Sequence, residues 1–147
     1  MSGTYSFIDV NAAITGPGGA FSLGYGSGVS EEGITITMAE DKDTMTVGAD
    51  GEVMHSLHAA KHGTVTVKLL KTSPVNNKLM ALYDLQSLSS STWGNNVITV
   101  TNSVSGDAIA CRSVAFKKIP DLNYQKDGGT NEWVFNSGKI DAVLGVF

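Results

Sequence analysis

The sequence predicts a mainly β fold, an antiparallel sandwich or barrel with one flanking α-helix, in a single domain covering residues 1–147. Three observations carry that expectation. Short runs alternate apolar with threonine or charged residues, the period of a strand with one dry and one wet face. Turn signals drawn from 17 glycines separate the runs. Only the segment after Ser73 has apolar residues at helical spacing. At 41% hydrophobic content the chain has enough apolar material for one real core.

Taken in order, Tyr5 to Ile14 reads as a first strand, after which Gly16-Pro17-Gly18-Gly19 and Gly24-Tyr25-Gly26-Ser27-Gly28 break the chain into a loop region. Ile34, Ile36 and Met38 alternate with Thr35 and Thr37. Met45 and Val47 continue the alternation with Thr44 and Thr46 beyond the polar turn Glu40-Asp41-Lys42-Asp43, so Ile34 to Val47 is expected to fold as one hairpin with a charged tip. Gly48-Ala49-Asp50-Gly51 marks a second turn, Val53 to Leu57 a short strand, and His62-Gly63 the entry to another.

That next strand is the plainest in the chain: Val65, Val67 and Leu69 alternate with Thr64, Thr66 and Lys68. Ser73 and Pro74 stop it and start a helix, because a serine oxygen accepts from a free amide of the first turn and proline lacks the N–H that is unpaired there anyway. The helix is expected from Pro74 to about Leu85, with Val75, Leu79, Leu82 and finally Leu85 facing the core. Val97 to Thr101 and Ala108 to Phe116 flank the turn Ser105-Gly106-Asp107 as a hairpin. Trp133 to Phe135 and Lys139 to Leu144 supply the last two strands.

The formal net charge of −4 and the single arginine, Arg112, argue against a protein that grips nucleic acid by neutralising phosphates. Cys111, the one cysteine, cannot form an intramolecular disulfide and reads as a small buried side chain, compatible with a reducing cytoplasm. MSGTYSFIDV lacks the features of a cleaved export signal, and no run is long enough to span a membrane, so neither export by a signal nor a place in lipid is expected.

Candidate chemistry fails on spacing. His55, His58 and His62 invite a metal reading, but their spacing suits a helix and Gly51 and Gly63 bracket too short a stretch for one; solvated or interface histidines are expected. Asp41 and Asp43 open like a calcium loop, but Thr44, Met45 and Thr46 follow where a further oxygen ligand and a glycine belong. Gly24, Gly26 and Gly28 make no dinucleotide fingerprint, since Val29 stands at the third glycine position. With no nucleophile, base and orienter together, no enzyme, cofactor or resident metal is expected.

Two patterns remain. Thr35, Thr37, Thr64, Thr66, Thr99 and Thr101, with Thr44 and Thr46, give four stretches a threonine face, which fits ordinary solvent exposure or a shared wet surface such as a channel wall. Charge is also ordered along the chain. Glu31, Glu32, Glu40, Asp41, Asp43, Asp50 and Glu52 are offset by Lys42 alone, and Lys61, Lys68, Lys71 and Lys78 follow. If these two groups lie at opposite ends, copies can stack head to tail; if not, both are solvated faces.

With the hairpin Ile34 to Val47, the run GADGEVMHSLHAAKHGTVTVKLLKTSPVNNKL from Gly48 to Leu79, and the closing Glu132-Trp133-Val134-Phe135 and Gly138-Lys139-Ile140-Asp141, the chain resembles the tail tube proteins of contractile-tailed bacteriophages. The resemblance implies a tube fold shared with type VI secretion tubes, with a long protruding hairpin, and hexameric rings stacked into a channel through which DNA is ejected. It implies that Ile34, Ile36, Met38, Glu40, Asp41, Lys42, Asp43, Met45 and Val47 make inter-subunit contacts, with Lys61, Lys68, Lys71 and Lys78 as basic partners in an adjacent ring. Thr35, Thr37, Thr64, Thr66, Thr99 and Thr101 are the expected channel-facing residues. The partners implied are further copies of the chain, the tail sheath, baseplate and tail terminator proteins, and DNA in transit; no membrane is involved. The place implied is the virion tail, after synthesis in the host cytoplasm. The alternatives are a type VI-like tube subunit, or a carbohydrate- or host-binding β-module of a virion using Trp93, Trp133 and Tyr25 for stacking.

Overall fold

The computed structural model describes residues 3–23 and 29–147, and for residues 29–32 the backbone alone. Gly24, Tyr25, Gly26 and Gly28, and the side chains of Glu31 and Glu32, lie outside the described residues.

Nine strands and one α-helix make up the described chain: β1 Val10–Gly16, β2 Gly19–Ser22, β3 Val29–Met38, β4 Asp43–Val47, β5 Val53–Leu57, β6 Gly63–Leu70, α1 Val75–Gln86, β7 Asn96–Asn102, β8 Ala108–Lys118 and β9 Thr130–Val143. Seven of them form one antiparallel sheet in the order β2-β1-β7-β8-β9-β6-β3, while β4 and β5 pair only with each other. The mainly β, antiparallel, one-helix architecture expected from the sequence is the one observed.

Three boundaries differ from expectation. Ser6 caps a 3-10 turn at Phe7–Asp9, with the Ile8 amide donating to its hydroxyl, so the first strand starts only at Val10. The Pro17-Gly18 turn closes a tight hairpin, because β2 returns along β1 in place of a loop. The two closing strands are one, β9, running through Gly138. That glycine sits where β8 and β9 kink together: Ser113, at a left-handed φ of 53°, lies across from it, and a Cβ on Gly138 would stand 2.9 Å from the Ser113 Cβ. Glycine there permits the close approach, so it marks a bend and not an end.

The larger correction concerns the hairpin. Ile34 to Val47 is not one: β3 pairs with β6, matching Thr35 with Thr66 and Ile36 with Val65, and β4 pairs with β5, matching Met45 with His55 and Val47 with Val53. The hairpin is therefore Asp43 to Leu57, with its turn at Gly48–Glu52. Ile34 and Ile36 pack half-buried against the core of the main sheet. A period of two reports which face a residue takes and is silent about its partner strand.

The core lies between the sheet and α1. Val65, Val67 and Leu69 of β6, Ile14 of β1, Ile98 of β7 and Leu79 of α1 are all fully buried. Phe116 stands at its centre, 4.9 Å from Phe135, 5.5 Å from Tyr83 and 5.9 Å from Trp133, ring centre to ring centre. The Ser73 hydroxyl accepts from the Val75 amide at 3.3 Å and Pro74 takes a helical φ of −66°, the start expected from the sequence. The buried stripe of α1 is Val75, Leu79, Leu82 and Gln86, whereas Leu85 is exposed. Gln86 and Asn96 satisfy each other through two reciprocal side-chain bonds of 2.7 Å, and Gln86 also donates to the Pro17 carbonyl.

Candidate assembly interface

Two surfaces and a charge pattern stand out once the fold is assembled. The first surface is the detached hairpin. Every residue of β4 and most of β5 is exposed. The cross-strand register puts Met45, Val47, Val53 and Leu57 on one face, all four 50–80% exposed, together with the Asp43–His55 pair. A two-stranded ribbon with a bare apolar face is marginally stable alone in water, and bare apolar surface of this kind marks a contact site. Its two legs are closed at the root by His58 N–H to Lys42 C=O at 2.9 Å, and the chain flanking it is pinned to the main sheet by Ala39 N–H to His62 C=O at 3.1 Å and Ile140 N–H to Lys61 C=O at 2.8 Å. Asp50 and Glu52 sit at the turn and Glu40, Asp41 and Asp43 at the root, with Lys42 the one cation among them.

The three histidines lie along the hairpin and its root, His55 at mid-strand opposite Met45, each reaching a different partner. His55 Nδ1 lies 2.9 Å from Asp43 Oδ2, His58 Nε2 lies 2.8 Å from Thr44 Oγ1, and His62 Nε2 lies 4.0 Å from Glu40 Oε1. Among the described residues no group of three histidine, cysteine or acidic side chains is arranged to hold a metal.

The second surface is the sheet face turned away from the core. Thr35 lies opposite Thr66 and Thr37 opposite Thr64, and these alternate with the core residues Ile36, Val65 and Val67. Thr99 and Thr101 alternate in the same way with Ile98 and Val100. All six threonines thus share one face of one sheet, extended on β1 by Asn11 and Thr15. Alternation around a buried face produced this: a sheet packed on one side presents every second residue to the other.

Net charge does not describe that face. The hairpin and its root carry Glu40, Asp41, Asp43, Asp50 and Glu52, while the face carries Lys68 against Glu132 at 3.9 Å and a cluster on Asp141. Lys61 Nζ and Arg112 Nη1 reach the Asp141 carboxylate at 3.3 and 3.1 Å, with Lys139 Nζ at 3.8 Å. Desolvation pushes the Asp141 carboxyl up, but the Lys61 hydrogen bond and the charges of Lys139, Lys61 and Arg112 together outweigh it and hold the carboxyl below its usual range. Arg112 and Lys139 escaped the sequence reading because only the β8–β9 register brings them together.

The lysines singled out in sequence do not form one patch. Lys61 stands at the hairpin end, bound to Asp141. Lys68 and Lys71 lie at the far end of β6, where Lys71 donates to the Asn123 carbonyl and sits 4.0 Å above the Tyr124 ring. Lys78 is exposed on α1.

None of this resembles a reaction centre. Buried polar side chains are spent on structure: Asn102 Oδ1 accepts from the Val104 and Ser105 amides, and the Ser137 hydroxyl donates toward the Arg112 and Lys139 carbonyls. The Cys111 thiol is buried, and burial pushes it up against a smaller lowering by Ser137, so it is held as an unreactive thiol. Trp133 is fully buried with its indole N–H on Asn76 Oδ1 at 3.0 Å, so it offers no open stacking platform, whereas Trp93 meets Tyr83 edge-on and stays partly exposed.

The sequence profile of the bacteriophage PhiTE tail tube protein family matches residues 1–145. The chain belongs to that family. This tube protein is accordingly a structural component of a phage tail and its family is not one of enzymes. No curated protein sequence matches it. Its fold is shared with solved parts of contractile injection systems. One is the sheath/tube terminator of an extracellular contractile injection system, PVC, in the extended state (TM-score 0.62, 11% identity, 97% of this chain and 98% of that chain). Another comes from the baseplate of the anti-feeding prophage, AFP (0.58, 16%, 97% of each chain). A third comes from the PVC sheath-tube complex (0.54, 10%, 90% and 88%). At such identities the likeness is one of fold. No helix among the described residues is long and apolar enough to cross a membrane.

Proposed function

We propose that the tube protein assembles as hexameric rings stacked into a tail tube, with the threonine-bearing face lining the channel through which DNA passes into the host. The observation that carries the reading is the detached hairpin, whose exposed apolar side chains and acidic turn have nothing among the described residues to cover them. The contact residues in this reading are Met45, Val47, Val53 and Leu57, with Asp43, Asp50 and Glu52 at their edges. Of the residues expected from sequence, Met38, Glu40, Asp41 and Lys42 belong to the root, and Ile34 and Ile36 serve the main sheet.

The wall suits passage without holding. Threonine hydroxyls are neutral, and on that face Lys61, Arg112 and Lys139 are engaged with Asp141 and Lys68 with Glu132, which weakens their hold on phosphates; Lys118, across from Val134, is the exposed cation there with no such partner among the described residues. Sheath, baseplate and terminator proteins are the partners outside and at the ends of the tube, by analogy with the assemblies in which the neighbouring folds occur. Negative-stain microscopy of the purified protein tests the reading. Six-fold rings or tubes of uniform width are expected, and a dispersed monomer at every concentration overturns it.

A further inference from the structure

The hairpin leaves the sheet at one end and a second exposed feature stands at the other. β6 joins the two: Gly63 adjoins the hairpin root, and Leu70, roughly 25 Å away at strand rise, adjoins the segment between β8 and β9. That segment, residues 119–129, presents Leu122 at 61% and Tyr124 at 82% exposure beside a 45% exposed Leu70. Its lysine is fixed in place: the Lys71 side chain donates to the Asn123 carbonyl and lies over the Tyr124 ring, and its backbone N–H donates to the Gly129 carbonyl at 3.2 Å. Lys117, Lys118 and Lys126 lie in or next to the same segment, which also holds Asp121 and Asp127.

We propose that this platform, Leu70, Lys71, Leu122 and Tyr124, is the seat for the β4–β5 hairpin of a second copy in the next ring, an inference that rests on the tube reading above. Three features fit. Each surface has exposed apolar groups and a charge opposite to the other's: acids at the hairpin turn, lysines at the platform. The two lie at opposite ends of one strand, the arrangement a head-to-tail contact needs in order to propagate. A lysine held over an aromatic ring keeps its charge positioned before contact, which lowers the entropy lost on docking. Another exposed apolar group, Tyr5, Ile8, Val104, Val143 and Val146, lies at the hairpin's own end of the sheet. A hairpin seated there would pair like ends and close after two copies.

Paired cysteines test the seat. Val47→Cys/Leu122→Cys protein, assembled and mildly oxidised, is expected to give a ladder of disulfide-linked multimers, with single-cysteine variants stopping at dimers. Lys71→Glu is expected to raise the concentration needed for assembly up to about 5-fold, the range of one exposed pair, and Asp50→Lys/Glu52→Lys to recover part of it. Tubes that form normally but give no ladder overturn the seat while leaving the tube reading intact, as does a ladder from Val47→Cys/Val104→Cys in its place. Absence of tubes from the unmodified protein overturns both.

Discussion

Gln86 shows how a polar residue comes to occupy a core position. At 100° per residue, positions 75, 79, 82 and 86 fall within a narrow sector of the helix, and position 85 lies well to one side. Hydrophobicity favoured Leu85 and geometry favours Gln86, and geometry prevails because Asn96 supplies the buried amide with both a donor and an acceptor. Replacing Gln86 by Leu leaves the Asn96 amide without its partner in the core, a loss of about 1–3 kcal/mol. The double variant Gln86→Leu/Asn96→Leu is expected to recover part of that loss, since neither buried amide then remains. Chemical denaturation of the two variants and their parent measures both steps. A single variant as stable as the parent contradicts the pairing.

At the scale of elements, β6 and α1 were the most legible, because each is decided locally: Val65, Val67 and Leu69 fix the dry face, and Ser73 and Pro74 fix the helix start. Leu79, fully buried on that helix, should cost about 2–5 kcal/mol when cut to Ala, read as a lower denaturation midpoint. The partner of β3 was illegible for the opposite reason. Strands β3 and β4 follow one another with the same alternation, but β3 pairs with β6, a contact that no local spacing records. The Asp141 cluster was hidden likewise, since its members come from residues 61, 112, 139 and 141. The corrected hairpin sharpens a test of its role. Removing Asp43 to Leu57 and closing Lys42 to His58 with a short glycine turn leaves every strand of the main sheet in place. The product is expected to be folded and soluble, with an unchanged thermal transition, and unable to polymerise. Tubes of normal length from this deletion would show that the hairpin is dispensable for assembly.

At the scale of the whole molecule, the sheet has two faces with separate tasks, and assembly should make them chemically distinguishable. One face packs on α1 and buries the aromatic cluster around Phe116. The other carries the six threonines and turns away from the helix. If rings stack with the threonine face inward, α1 lies outward, and a bulky reagent in solution reaches only the helix. Thr99→Cys and Ala81→Cys probe the two sides, both positions being exposed in the single chain and neither supporting the core. In unassembled subunits both thiols should react with a small maleimide and with a polymer-linked one. In tubes both should still react with the small reagent, but the polymer-linked reagent should modify Ala81→Cys throughout and Thr99→Cys only near tube ends. Cys111, buried, contributes little background. Gel shifts before and after assembly give the comparison directly. Protection of Ala81→Cys with open access to Thr99→Cys would mean that the helix faces the channel, and the proposed wall would have to be abandoned.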